Sequence, residues 1–108
     1  MTVYELAKTC QFNILCSPDP DREINGVYIG DLLSWVMGKA NADNVWVTIM
    51  SNINVIAVAS LSDVACVLLA EDVTLDDDVL TTAKQKGINV LSTPLSAFDT
   101  AIKLSGVV

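Results

Sequence analysis

Three short segments, Val45 to Met50, Ala65 to Ala70 and Ile88 to Leu91, are apolar without alternation and are separated by helix-length stretches. A strand with one wet face alternates, whereas a strand buried on both faces reads as a continuous apolar run. After residue 44 the order is therefore strand, helix, strand, helix, strand, helix. That order predicts a largely parallel sheet covered by helices on both sides. Its 108 residues fit one domain over 1–108, with no linker, internal repeat or low-complexity segment.

Local signals place the remaining elements. Thr2 and Glu5 form a capping box for a helix from Val3 to Thr9. Phe12 to Cys16 reads as a strand, and Ser17-Pro18-Asp19-Pro20-Asp21 as a turn-rich loop. Ile24 to Ile29 is a second strand, broken by Asn25-Gly26, and Gly30-Asp31 starts a helix that runs to about Lys39. Ser51 or Asn52 caps a helix from Ile53 to Leu61 that is apolar on almost every side, which predicts burial on more than one face. Thr74 caps a helix from Leu75 to Lys86 that Gly87 closes. Thr93 caps the last helix, Pro94 to Leu104, with Pro94 at the first position where no amide donor is needed.

Composition narrows the function. Apolar residues make up 52% of the chain, more than one small core hides, so a homodimer or a partner interface is expected. The net charge of −7 repels DNA and RNA and disfavours anionic membranes. No apolar run is long enough to span a bilayer. Met1 to Glu5 lacks a basic region followed by an apolar run, so no signal peptide is expected and the chain reads as cytoplasmic. Three cysteines without a CxxC argue for reduced, buried thiols rather than a disulfide framework or a zinc site.

Chemistry-bearing motifs are sparse. The chain has no histidine, which excludes Ser-His-Asp and Cys-His arrangements. Neither GxxxxGK[ST] nor GxGxxG occurs. The acids Glu71, Asp72, Asp76, Asp77 and Asp78 do not match an EF-hand, and three of them suit the first turn of a helix whose far end carries Lys84 and Lys86. No metal and no cofactor is implied. The candidate ligand-binding residues are Asp31, Thr48, Ser51, Asn52, Ser92 and Thr93, because several fall at strand C-terminal ends, where open α/β sheets bind ligands. Asp31, Ser51, Asn52 and Thr93 are equally plausible as helix caps, and Arg22 as the partner of a nearby acid.

A further constraint comes from Asp21 to Ser34, then Val45-Trp46-Val47-Thr48-Ile49, then Asn52 with Val55 to Ala59, and last Leu91-Ser92-Thr93-Pro94-Leu95-Ser96-Ala97-Phe98. In this order and spacing the segments resemble a stand-alone DRTGG domain, similar to the N-terminal domain of HPr kinase/phosphorylase. The resemblance implies a three-layer α/β/α fold with a mixed, largely parallel sheet of about five strands. It implies an accessory, regulatory role, and an adenine nucleotide as a possible ligand, since such domains also occur beside CBS domains in some pyrophosphatases. It further suggests a protein partner in an electron-transfer or hydrogenase system of anaerobes. The catalytic half of the kinase, with its P-loop, is absent here, so the chain is expected not to be an enzyme. Of the family's name-giving letters only Asp21, Arg22 and a glycine are present.

Overall fold

The computed structural model describes residues 1–108. Five strands, β1 (Asn13–Cys16), β2 (Gly26–Ile29), β3 (Asn44–Thr48), β4 (Cys66–Leu69) and β5 (Val90–Ser92), form one sheet in the order β1-β5-β4-β3-β2. β2 to β5 are parallel and β1 lies antiparallel on β5, with a bulge between Ile14 and Cys16. The helices are α1 (Val3–Cys10), α2 (Leu33–Lys39), α3 (Ile53–Ser62), α4 (Asp77–Gln85) and α5 (Ala97–Ser105).

The continuous apolar strands are explained by two cores, one on each face. Trp46, Val67, Leu69 and Val90 point to the face covered by α2, α3 and α4. Val45, Val47, Cys66, Leu68 and Leu91 point to the face covered by α1 and α5. The expected three-layer arrangement with a mostly parallel, mixed sheet is therefore the one observed.

Four local expectations are corrected. The last helix starts at Ala97 with Ser96 as its cap, and Thr93 and Pro94 lie outside it. Thr93 is held in the sheet instead, its amide donating to the Leu69 carbonyl at 2.9 Å. α4 starts at Asp77, not at Leu75, and Thr74 does not cap it. Leu75 is buried in the core beneath α2, α3 and α4 in the stretch that precedes the helix, so packing outweighs the capping signal. α2 starts at Leu33, and Asp31 does not cap it because its carboxylate is engaged elsewhere. α3 buries one broad face, Val55, Ile56, Val58 and Ala59, and leaves the stripe of Ile53, Ala57 and Leu61 in solvent.

Other signals hold. Asn52 caps α3, its side chain accepting from the Asn54 amide, and the Thr2–Glu5 capping box closes α1. The box keeps the Glu5 carboxyl below the usual carboxylate range through hydrogen bonds from Thr2. Gly87 ends α4 with φ of +74°. All three cysteines are free and buried.

Glu71 and Asp72, which follow β4, both sit in the left-handed region with φ of 58° and 60°. An L-residue there carries about 1 kcal/mol of steric cost, and Asp tolerates it better than Glu. Glu71→Gly is therefore expected to raise stability by about 0.5–1 kcal/mol in urea unfolding, after the entropy of the freer unfolded chain is counted. Asp78→Gly, inside the α4 helix, should act in the opposite direction by a similar amount.

Candidate functional site

In a sheet of parallel strands every C-terminal end lies on one edge, and the loops leaving β2, β3, β4 and β5 form a common rim. The six predicted residues lie along it, in two groups. Asp31 and Thr48 meet directly: Thr48 Oγ1 donates to Asp31 Oδ1 at 2.8 Å, and the Ile49 amide donates to the same oxygen at 3.0 Å. Thr48 Oγ1 in turn accepts from the Met50 amide at 3.1 Å. Asp31 thus fastens the end of β2 to the end of β3. Ser51 and Asn52 follow in the same loop, both exposed, with Asn52 Oδ1 accepting from the Asn54 amide at 2.9 Å.

Ser92 and Thr93 form the second group. β4 lies between β3 and β5, which separates the groups by two strand spacings, roughly 9–10 Å. Both residues are buried, Ser92 at 4% and Thr93 at 2% exposure, beneath the loop that follows β4. Thr93 accepts the Asp72 amide on its carbonyl at 2.9 Å, and Leu95 accepts the Glu71 amide at 2.8 Å. The open part of the rim is thus Asp31, Ser51 and Asn52, with Thr48 behind them.

The rim's open charges are acidic: Asp31, Glu71 and Asp72. Helix polarity carries Lys39, Lys84 and Lys86 to the opposite edge of the sheet. One first-turn amide in each of α3 and α5, that of Asn54 and that of Asp99, is already taken by the cap side chain of Asn52 or Ser96. An anion at this rim therefore meets modest attraction from the fold.

The opposite edge is held by an ion-pair cluster around the half-buried Arg22. Arg22 donates to Asp43 Oδ1 at 2.8 Å, to Asp63 Oδ1 at 2.8 Å and to the Asp63 carbonyl. Burial alone would lower the Arg22 pKa, but the hydrogen bonds to Asp63 and Asp43 outweigh it and raise it. The expected pairing of Arg22 with nearby acids is observed, and the arginine joins the loops before β3 and β4. Burial raises the Cys10 and Cys16 thiols and pushes Cys66 up to about 12, so none is a thiolate nucleophile at neutral pH.

A cleft of about 250 Å³ lies away from this rim, between β2 and α5. Val27, Ile29, Ala101, Leu104, Ser105 and Val108 line it. Sequence reading did not single it out. The signal was present in the alternation of Val27 and Ile29 along β2 and in Phe98 and Ile102, one helical turn apart on α5.

Fold and rim together define a small three-layer α/β/α domain whose parallel strands end on one shared edge. The model of the DRTGG domain family matches residues 5–107, and the chain belongs to that family. The chain is also similar to the crystal structure of the CBS and DRTGG domains of the regulatory region of Clostridium perfringens pyrophosphatase, complexed with its activator diadenosine tetraphosphate, with a TM-score of 0.72 at 12% identity. That match covers 92% of this chain and 44% of the other, so this chain spans less than half of its length. At this identity the likeness shows a shared fold. No curated protein matches the chain. No helix is long and apolar enough to cross a membrane.

Proposed function

We propose that this chain is a non-enzymatic regulatory or scaffolding domain that homodimerises and senses a small ligand at the rim of Asp31, Thr48, Ser51 and Asn52. The observation that carries the non-enzymatic part of the reading is the engagement of the rim's polar groups. Asp31, Thr48, Asn52 and Thr93 hold the fold's own loops rather than projecting as an acid–base pair. The family and the lack of any histidine support the same reading. A protein partner in an electron-transfer or hydrogenase system would be reached through the same scaffold.

The second reading, an adenine-nucleotide sensor, is favoured by the diadenosine tetraphosphate bound to the pyrophosphatase regulatory region. The acidic rim and the net charge of −7 slow the encounter with anions, so affinity should be micromolar or weaker, about −8 kcal/mol at most. NMR titration with AMP and ATP is expected to shift the amides of Asp31, Ile49, Ser51 and Asn52. Saturable shifts confined to α4, or none at all, would leave the scaffold reading alone. Turnover of labelled ATP that follows the purified protein and disappears in Asp31→Asn would overturn the non-enzymatic reading.

A further inference from the structure

The two edges of the sheet differ in how they are protected. β1 carries a bulge and runs into the proline-containing loop at Pro18 and Pro20, two devices that discourage further pairing. β2 is Gly26-Val27-Tyr28-Ile29, with no charge, no proline and regular pairing to β3. The Gly30 amide donates to the Val47 carbonyl. In a parallel ladder the alternation then turns the backbone groups of Tyr28 toward β3 and those of Val27 and Ile29 outward.

We propose that two copies of this chain join edge to edge through β2, antiparallel about a two-fold axis at Tyr28, to make one continuous sheet. The proposal rests on the homodimer reading above and assigns it a surface. In this register Val27 of each copy faces Ile29 of its partner as a hydrogen-bonded pair, and every outward backbone group of the two residues gains a mate. Tyr28 faces its own symmetry mate as a non-hydrogen-bonded pair. An isologous contact of this kind is self-complementary by construction.

Charge selects the same face. Each copy carries −7, so a face without ionisable side chains adds no local charge repulsion when two copies meet. The side chains lining the β2–α5 cleft have none. Val27 and Ile29 are 37% and 44% exposed on that face, and Phe98 and Ile102 of α5 are 73% and 55% exposed. Pairing at β2 would extend this apolar strip across the two-fold, with α5 of each copy flanking it. The exposed stripe of α3 offers apolar area as well, but a helix has no free backbone ladder to pair.

Two variants test the surface. Ile29→Pro removes an outward amide that no neighbour in its own chain uses, a position where an edge strand accepts proline. It is expected to weaken dimerisation by about tenfold or more while circular dichroism stays native. Tyr28→Cys places paired cysteines with Cα atoms about 4.5 Å apart, within the range a disulfide spans. The buried native thiols do not compete. Under mild oxidation this variant should give a covalent dimer on non-reducing gels that reductant dissolves. A wild-type chain that is monomeric overturns the homodimer reading and this surface together. A wild-type dimer whose Tyr28→Cys variant fails to crosslink, or whose Ile29→Pro variant dimerises as tightly, overturns the surface alone.

Discussion

Trp46→Ala is expected to cost about 4 kcal/mol or more, close to the whole stability of a domain this size. Trp46 lies on the interior strand β3, is fully buried, and fills the core beneath α2 and α3. Its Nε1 donates to the carbonyl of Gly30 at 2.9 Å, which ties the residue that follows β2 to the sheet. Truncation removes the largest buried side chain and leaves that carbonyl without its donor. Trp46→Phe keeps most of the volume and should cost about 2 kcal/mol, mainly from the lost hydrogen bond and the smaller ring. Trp35→Ala is the contrast. Trp35 is 58% exposed on α2, with Lys39 stacked on its ring at 4.2 Å, and its loss should cost well under about 1 kcal/mol. Urea unfolding followed by circular dichroism separates the three. Equal effects of Trp35→Ala and Trp46→Ala would show that the sheet is not packed as described.

Asn89→Ala is the second large effect, about 3 kcal/mol. Asn89 is 1% exposed at the start of β5. Its Oδ1 accepts from the Asp19 amide at 2.9 Å, and its Nδ2 donates to the carbonyls of Asp19 at 2.7 Å and Ala65 at 3.0 Å. One side chain thus pins the 17–21 loop to the sheet between β4 and β5. Without it the Ala65 carbonyl is buried without that donor and the loop is released. Asn89→Asp should be at least as harmful, because it turns an acceptor toward two carbonyl oxygens. Protease cleavage in the 17–21 loop, ahead of global unfolding, is the expected signature. An unchanged cleavage rate would show that the loop is held by other contacts.

The parts of this fold legible in the sequence were those set by short-range physics. Val45 to Val47 and Cys66 to Leu69 declare themselves because burial on both faces leaves no polar alternation. The Thr2–Glu5 box, the Asn52 cap and Gly87 act within one helical turn, so local spacing identifies them. Where a local signal competed with a distant partner, the distant partner prevailed. Asp31 looks like a cap but binds Thr48 and Ile49, which pairing of β2 with β3 brings to it. Thr93 and Ser96 both offer a capping hydroxyl. The β4–β5 ladder takes the Thr93 amide, so the helix waits for Ser96. Asn89 reads as an ordinary strand residue until the loop from Asp19 folds onto it.

The same limit applies to the rim. The order of elements brings Asp31, Thr48, Ser51, Asn52, Ser92 and Thr93 to one edge, but only the strand order reveals that β4 divides them. The apolar face between β2 and α5 escaped for the opposite reason. Val27 and Ile29 look like core until the sheet proves to end there.

The central claim, that this domain works as an assembly, is met most directly by sedimentation equilibrium of the wild-type chain across the micromolar range. A mass of twice the 11.5 kDa protomer, persisting on dilution, is the expected result. A mass of 11.5 kDa at every concentration would contradict it.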